Sequence, residues 1–380
     1  MERIFMVGRV GWKVLRGRAW AMLWLLWAAV FSTQFATASP VLYTVYDNTA
    51  DGYRAMLATA DPATGFLGTQ NPIAYSFGGG ALAPLAYSLT GMAYGNGTMY
   101  GSYNDIFGGY RSVLTSFDPK TGFISSTAPI GISFGGGALA PLGYTLTAMA
   151  YGNGKLYGVY NNIAEGYRSV LVTVDPATGF ILSQAPIGLS FGGGALAPLG
   201  YTLTGLAYSN GKLYGTYNDT VLGYRAVLAT IDPITGFLES QQPIGYSFGG
   251  GALAPLGFTP TSLAYGDGEL FATYNDTDLG YRAVLASIEP ATGFLDGIAP
   301  IGTSFGGGAM APLGYTPTGL AYVNDAAPGG GGTGGGGGLP GQVPEPGALW
   351  LVGLGLAGLT ALRLHRVRRH LSSAAEMQKA

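Results

Sequence analysis

The chain has 380 residues, of which 66 are glycine and 25 tyrosine, with two histidines and no cysteine. Charged residues make up 10% of it, against about 25% in ordinary globular proteins. Apolar residues make up 48%. That balance supports a buried core and excludes wholesale disorder. The missing cysteine excludes a disulfide framework, a thiolate nucleophile and a cysteine–zinc site. The net charge of −2 gives no pointer to nucleic acid, yet it sums unlike parts. Residues 1–38 and 346–380 each carry five cations and one acid, and residues 39–345 carry eight cations and 18 acids.

The first segment reads as an export address. Arg3, Arg9, Lys13, Arg16 and Arg18 precede an apolar run from Ala19 to Phe31, and Ala36-Thr37-Ala38 supplies a small–x–small cleavage site. Together they make residues 1–38 a secretory signal peptide, with signal peptidase as a partner and Ser39 as the mature start. The competing reading is a retained membrane anchor.

Residues 39–325 are one unit written five times. Ser-Phe-Gly-Gly-Gly begins at Ser76, Ser133, Ser190, Ser247 and Ser304, in steps of 57 residues. Tyr-Arg recurs in the same register at Arg54, Arg111, Arg168, Arg225 and Arg282. The units run 41–97, 98–154, 155–211, 212–268 and 269–325. A fixed period of this length means a solenoid or a propeller.

Within a unit the sequence spells strands. Leu203–Tyr208 is apolar and is followed by Asn210-Gly211, a two-residue hairpin signal. Lys212–Tyr217 and Tyr224–Ile231 read as further strands. Asp232-Pro233-Ile234-Thr235-Gly236 reads as a turn, and 237–244 as a weaker strand broken by Gln241, Gln242 and Pro243. Ser247–Thr259, rich in glycine and proline, reads as a connecting loop. In the strand from Tyr224 both faces are apolar or small, as a sheet sandwiched between neighbours requires.

The two ends complement each other. Val41–Tyr46 aligns with the second strand of later units, and Thr318–Tyr322 is a first strand with no successor. The leftovers complete one blade, so the expected fold is an all-β, five-bladed propeller.

Catalytic chemistry is sparse. Both histidines, His365 and His370, lie in the C-terminal tail, which leaves the body without a Ser–His–Asp or Cys–His relay or a histidine-ligated metal. No metal site or other cofactor is expected. The acids Asp61, Asp118, Asp175, Asp232 and Glu289 share one register and read as turn formers. Asn275-Asp276-Thr277-Asp278 has the oxygens of a calcium loop but not its full spacing. Ser-Phe-Gly-Gly-Gly lacks the Lys-Ser/Thr of a phosphate loop. The loop acids Asp105, Asp219 and Asp276 stand near Arg111, Arg225 and Arg282, as Asp47 does to Arg54, and Glu165 is the substitute near Arg168. This set is expected to act as a structural latch or a repeated binding surface. The tyrosines suit sugar stacking as well as blade packing.

A glycine-rich linker, 326–342, leads to Val343-Pro344-Glu345-Pro346. Residues 346–362 are uncharged and mostly apolar, at the short end of the range for a spanning helix. Arg363, Arg366, Arg368 and Arg369 follow at once, which keeps that end cytoplasmic and the body outside. The motif, the apolar helix and the arginine cluster, in that order, resemble the PEP-CTERM sorting signal over 343–380. The resemblance implies an exosortase-type enzyme that cuts near Pro-Glu-Pro, with Glu345 as a recognition residue. It implies a bacterial protein that is exported, briefly anchored in the inner membrane through its C-terminal helix, and delivered to the cell surface or extracellular matrix. The expected function is structural or adhesive, with an extracellular polysaccharide as candidate ligand and no nucleic acid. The alternative is a carbohydrate-active enzyme using Asp51, Glu165 or Asp278.

Overall fold

The local chemistry of each unit dictates its turns. At Asn96-Gly97, Asn153-Gly154, Asn210-Gly211 and Asp267-Gly268, φ is 49–51° at the first residue and 75–94° at glycine. Two consecutive left-handed residues match the twist of paired strands and close them into a hairpin. Asp61, Asp118, Asp175 and Asp232 each accept two backbone N–H bonds from the residues two and three positions on, at 2.7–3.0 Å. That Asx geometry reverses the chain between the third and fourth strands.

These turns generate five antiparallel four-stranded sheets in a computed structural model described over residues 40–324, apart from 78–80, 136–137, 192–195, 249–252, 279 and 307–308. One blade comprises Leu89–Gly95, Thr98–Asp105, Tyr110–Phe117 and Ile124–Pro129. The next three begin with Leu146–Gly152, Leu203–Ser209 and Pro260–Gly266. The fifth combines the two ends: Pro317–Val323 pairs with Val41–Asn48, which pairs with Tyr53–Ala60 and then Leu67–Pro72. The five first strands line a central axis, each beside the next and the last beside the first, so the ring is closed. Each unit therefore supplies three strands of one blade and the first strand of its neighbour. The signal peptide, the linker, the sorting motif and the apolar helix at 346–362 lie outside the described residues. Among the described residues no helix is long and apolar enough to cross a membrane.

Both faces of the third strand are buried as its composition demands: Ala226, Val227, Leu228, Ala229 and Ile231 are each at most 4% exposed. The fourth strand runs Leu238–Pro243. Gln241 does not break it, because its Oε1 accepts the Tyr217 hydroxyl at 2.5 Å.

The segment expected as a loop is a correction. Gly245–Ser247 pairs with Leu253–Pro255 in a small hairpin, and every unit carries its equivalent, such as Ala74–Ser76 with Leu82–Pro84. Its strands are only three to five residues long, and glycine and proline mask so short a strand signal. Each hairpin is rooted by a fully buried isoleucine and a buried leucine, Ile73 with Leu85 in the first unit, joined by a 2.8 Å backbone bond. It also bridges to the turn of the following blade, as in Ala74 with Phe123.

Neighbouring blades are joined by tyrosines. Tyr151 stacks on Tyr100 of the preceding blade at 5.8 Å between centroids, Tyr208 on Tyr157 at 5.5 Å, and Tyr322 on Phe271 at 5.6 Å. Each ring lies where the preceding first strand ends in glycine. A Cβ on Gly95, Gly152 or Gly266 would sit 2.0–2.1 Å from the ring of Tyr151, Tyr208 or Tyr322. The fourth junction has Ser209 instead. There the Tyr214–Tyr265 separation widens to 6.2 Å, Tyr265 is only partly buried, and the Ser209 hydroxyl is buried without a partner. Gly152→Ser should impose the same defect on a tight junction and destabilise the ring by about 1–3 kcal/mol, the usual cost of overpacking. Thermal unfolding measures this, and an unchanged midpoint would show that the junction tolerates a side chain.

Candidate functional site

The starts of the five first strands surround a funnel of about 490 Å³ on the axis. Ser88, Thr145, Thr202, Thr259 and Thr316 form its outer ring, and Thr90, Thr147, Thr204, Thr261 and Thr318 a deeper one, with Leu89 and Pro260 among the residues between. Below, Met92, Met149, Leu206, Leu263 and Leu320 meet at 2–3% exposure and shut the channel. Each first strand carries a bulge at the deeper threonine, between Leu89 and Gly91 in the first, so consecutive residues reach the funnel there.

The hydroxyls are largely committed to the ring. Thr147 Oγ1 donates to the Val159 and Leu203 carbonyls at 3.2 and 2.8 Å, which ties two blades together. Thr145, Thr202, Thr259 and Thr316 accept the side-chain amides of Asn104, Asn161, Asn218 and Asn275, each from the preceding blade, at 2.9–3.4 Å. The fifth junction is built differently. Asp47 stands in the asparagine register and accepts the Ser88 hydroxyl at 2.6 Å. No ionisable group lines the funnel. It offers shape and weak polarity, not acid, base or nucleophile.

The expected acid–arginine pairing is present at Asp47 and Arg54, whereas Asp105 and Asp219 bond to tyrosine hydroxyls and turn N–H groups. Asp219 Oδ1 accepts the Tyr201 hydroxyl at 2.6 Å and the N–H groups of Val221 and Leu222 at 3.0 and 2.9 Å. Asp105 Oδ1 accepts Tyr87 at 2.6 Å and the Gly108 N–H at 2.8 Å. Asp276 accepts the Asp278 N–H at 3.1 Å. In the third unit Asn162, not Glu165, takes this place, with its Oδ1 on the Tyr144 hydroxyl at 2.8 Å. Asp47 is one register off: it aligns with Asn104 rather than Asp105, and it is the acid that meets an arginine, Arg54, at 3.9 Å. A second ion pair, Lys212 with Glu239 at 2.7 Å, lies outside the latch set. The side chains of Arg54, Arg111, Arg168, Arg225 and Arg282 are all exposed.

The physical reason is reach. An arginine beginning the third strand can stay in water, whereas the acid, at the second strand's end, closes the loop and anchors a stacked tyrosine pair. Tyr201 lies 5.3 Å from Tyr217 and Tyr87 5.0 Å from Tyr103. The Tyr87 hydroxyl first, then the Gly108 N–H, hold the Asp105 carboxyl below its ordinary range. Burial pushes Asp219 and Asp232 upward, and the hydrogen bonds they accept outweigh it, leaving both low. Glu289 is too long for the Asx turn, and its Oε2 accepts the Thr292 hydroxyl at 2.6 Å instead. Among the described residues no three His, Cys, Asp or Glu gather where they could hold a metal.

Asp219→Ala should cost about 1–3 kcal/mol, because it strands a partly buried hydroxyl and two turn N–H groups. Arg225→Ala should stay within about 0.5 kcal/mol, as surface changes do. Denaturant titration of both checks the order, and equal losses would restore the latch. The tyrosines set the alkaline limit. Burial first, then Tyr315 and Asp51 nearby, push the Tyr46 hydroxyl from 10.0 up to about 12, and burial raises Tyr103, Tyr217, Tyr274 and Tyr322 as well. A group raised by folding stabilises fully below its unfolded value and loses that contribution as pH climbs through the folded one. Stability should therefore hold to about pH 10 and fall between 10 and 12 for Tyr46. Phenolate absorbance followed alongside circular dichroism tests this, and ionisation of every tyrosine near 10 with the fold intact would contradict it.

Residues 342–369 match the PEP-CTERM protein-sorting motif. The match covers the Pro-Glu-Pro motif, the apolar segment and the arginines Arg363, Arg366, Arg368 and Arg369. The motif implies an exported protein that is recognised by an exosortase-type enzyme and transiently anchored in the membrane. No curated protein sequence matches the chain. Among solved structures, glutaminyl cyclase from Myxococcus xanthus is 16% identical, over 63% of this chain and 72% of its own, with a TM-score of 0.36. The nidogen/laminin complex shares 9% identity over 75% and 98%, at 0.39. AztD from Citrobacter koseri shares 14% over 71% and 59%, at 0.31.

Proposed function

We propose that the exported ring is a non-catalytic protein of the cell surface or extracellular matrix that binds polysaccharide through several weak, equivalent contacts. The observation that carries this reading is the fate of the carboxylates. A glycosidase needs two acids in unlike environments, one of them held protonated. Here Asp61, Asp118, Asp175 and Asp232 are tied into turns, and Asp105 and Asp219 close loops onto tyrosine hydroxyls. The carboxyl shifts described above run downward, opposite to those of a general acid. The funnel holds no ionisable group. Of the loop acids whose variation favoured an enzyme, Asp51 accepts the Asn48 side-chain amide at 2.9 Å as part of its own turn.

Five near-equal faces suit a polymer that itself repeats, since linked weak contacts multiply into useful avidity. The acidic body favours a neutral polymer, or one bridged by cations. The full chain incubated with polysaccharides should retain at least one neutral polymer and release no shorter product. Soluble oligosaccharides appearing in the supernatant would replace this reading with an enzymatic one, and no retention on any polymer would leave a purely structural role.

A further inference from the structure

The most strictly repeated stretch of the unit is not its core. From Ile73 to Leu85 and in the four later copies, the text Ser-Phe-Gly-Gly-Gly-Ala-x-Ala-Pro-Leu changes at one position only, Leu in four copies and Met310 in the fifth. The buried axis, by contrast, alternates between Met92, Met149, Leu206, Leu263 and Leu320. Yet the repeated phenylalanine is at the surface: Phe77, Phe134, Phe191 and Phe248 are 72–73% exposed. Their packing gives no reason for an aromatic ring, and a large exposed apolar side chain in each of these four copies points to a contact surface.

The hairpin is built to hold that ring out. Its root is fixed by buried pairs such as Ile130 with Leu142 and Ile187 with Leu199. Three glycines follow each phenylalanine, so the sequence sets no bulky neighbour on that side of the ring. No residue between the root isoleucine and the root leucine is charged in any copy.

We infer that Phe77, Phe134, Phe191, Phe248 and their fifth copy Phe305 are five equivalent contact points for an uncharged polysaccharide, each ring stacking on the apolar C–H face of a sugar. This rests on the polysaccharide reading above and gives it a site. The tyrosines do not supply one, because those of the blades are stacked, buried, hydrogen-bonded or packed half-buried against the blade cores. What is kept selects among partners. A bilayer rewards apolar area of any shape, yet the position two before each phenylalanine passes through Tyr75, Ile132, Leu189, Tyr246 and Thr303 while the phenylalanine stays constant. Strand addition by a second copy needs an open edge, and each hairpin's second strand ends in proline, a residue that blunts edges. A flat aromatic face without charge, repeated around a ring, fits a repeating neutral sugar polymer.

The test uses the full chain in a mild non-ionic detergent, run by affinity electrophoresis through gels containing hydroxyethylcellulose, laminarin, dextran or galactomannan, with alginate as the anionic control. The wild type should be retarded by at least one neutral polymer and not by alginate. Replacing all five phenylalanines by serine should weaken the apparent affinity about a hundredfold, within the range by which avidity exceeds single-site binding, with an unchanged melting midpoint because Phe77, Phe134, Phe191 and Phe248 are exposed. Replacing all five by tyrosine, which keeps the ring face, should preserve retardation. Equal retardation of the serine variant overturns this inference and leaves the proposed function to another surface. Loss in the tyrosine variant as well overturns the ring-stacking contact. No retardation of the wild type on any polymer overturns both. Phenylalanine-dependent flotation with phosphatidylcholine vesicles, or a phenylalanine-dependent dimer by light scattering, assigns the hairpins to a bilayer or a second copy and overturns the sugar.

Discussion

One fit repeats between the blades: a tyrosine ring seated where the preceding first strand carries only hydrogen. It lets the ring of one blade lie directly against the backbone of its neighbour. Tyr151 on Gly95, Tyr208 on Gly152 and Tyr322 on Gly266 are the same joint made three times. The stacked partners Tyr100, Tyr157 and Phe271 brace each ring from the other side. Aromatic pairs of this kind add to what their buried area supplies. The Ser209 junction shows the dependence from within the molecule: one extra hydroxymethyl group displaces Tyr265 and leaves a buried oxygen without a partner.

The axial threonines and asparagines serve the same end by other means. Asn104 to Thr145 and its equivalents lace each blade to the next, just as Thr147 bonds the Leu203 carbonyl across a junction. The amide nitrogens are spent on joining blades, whereas the Oδ1 atoms of Asn104, Asn161, Asn218, Asn275 and Asp47 are buried without a partner. The carboxylates go into turns and onto tyrosine hydroxyls. The axis is thus lined by groups that join the blades, and the short hairpins rooted between the blades stand at the surface.

Much of this was legible in the residues because the repeat allows every position to be read five times. The closed ring followed from Val41–Tyr46 and Thr318–Tyr322, two partial strands that fit only each other, and the pairing of Thr44 with Leu320 is that fit. Turn roles were legible at Asp61 and its copies because their chemistry is local. The bonding of the loop acids is not legible, because spacing gives separation without direction: Asp219 and Arg225 are close in sequence, but Asp219 accepts the Tyr201 hydroxyl from another part of the blade. The swap of Asp47-Asn48 for the Asn104-Asp105 order moved one carboxylate to a different neighbour, and only the register of the second strand reveals it. The hairpins were hidden because three-residue strands within glycine and proline carry no periodicity.

The pairing of Pro317–Val323 with Val41–Asn48 joins residues some 275 positions apart, as the bond from Thr44 Oγ1 to the Gly319 carbonyl records. Contacts so distant in the chain form late. A polypeptide that emerges N-terminus first therefore presents Val41–Asn48 with one edge uncovered until almost the whole array has crossed, and the sorting motif follows the closing strand by fewer than twenty residues. Completion of the ring and arrival of the sorting signal are thus nearly one event. A chain interrupted before residue 317 lacks both its closing strand and its sorting motif, so an incomplete ring of this kind carries no sorting signal.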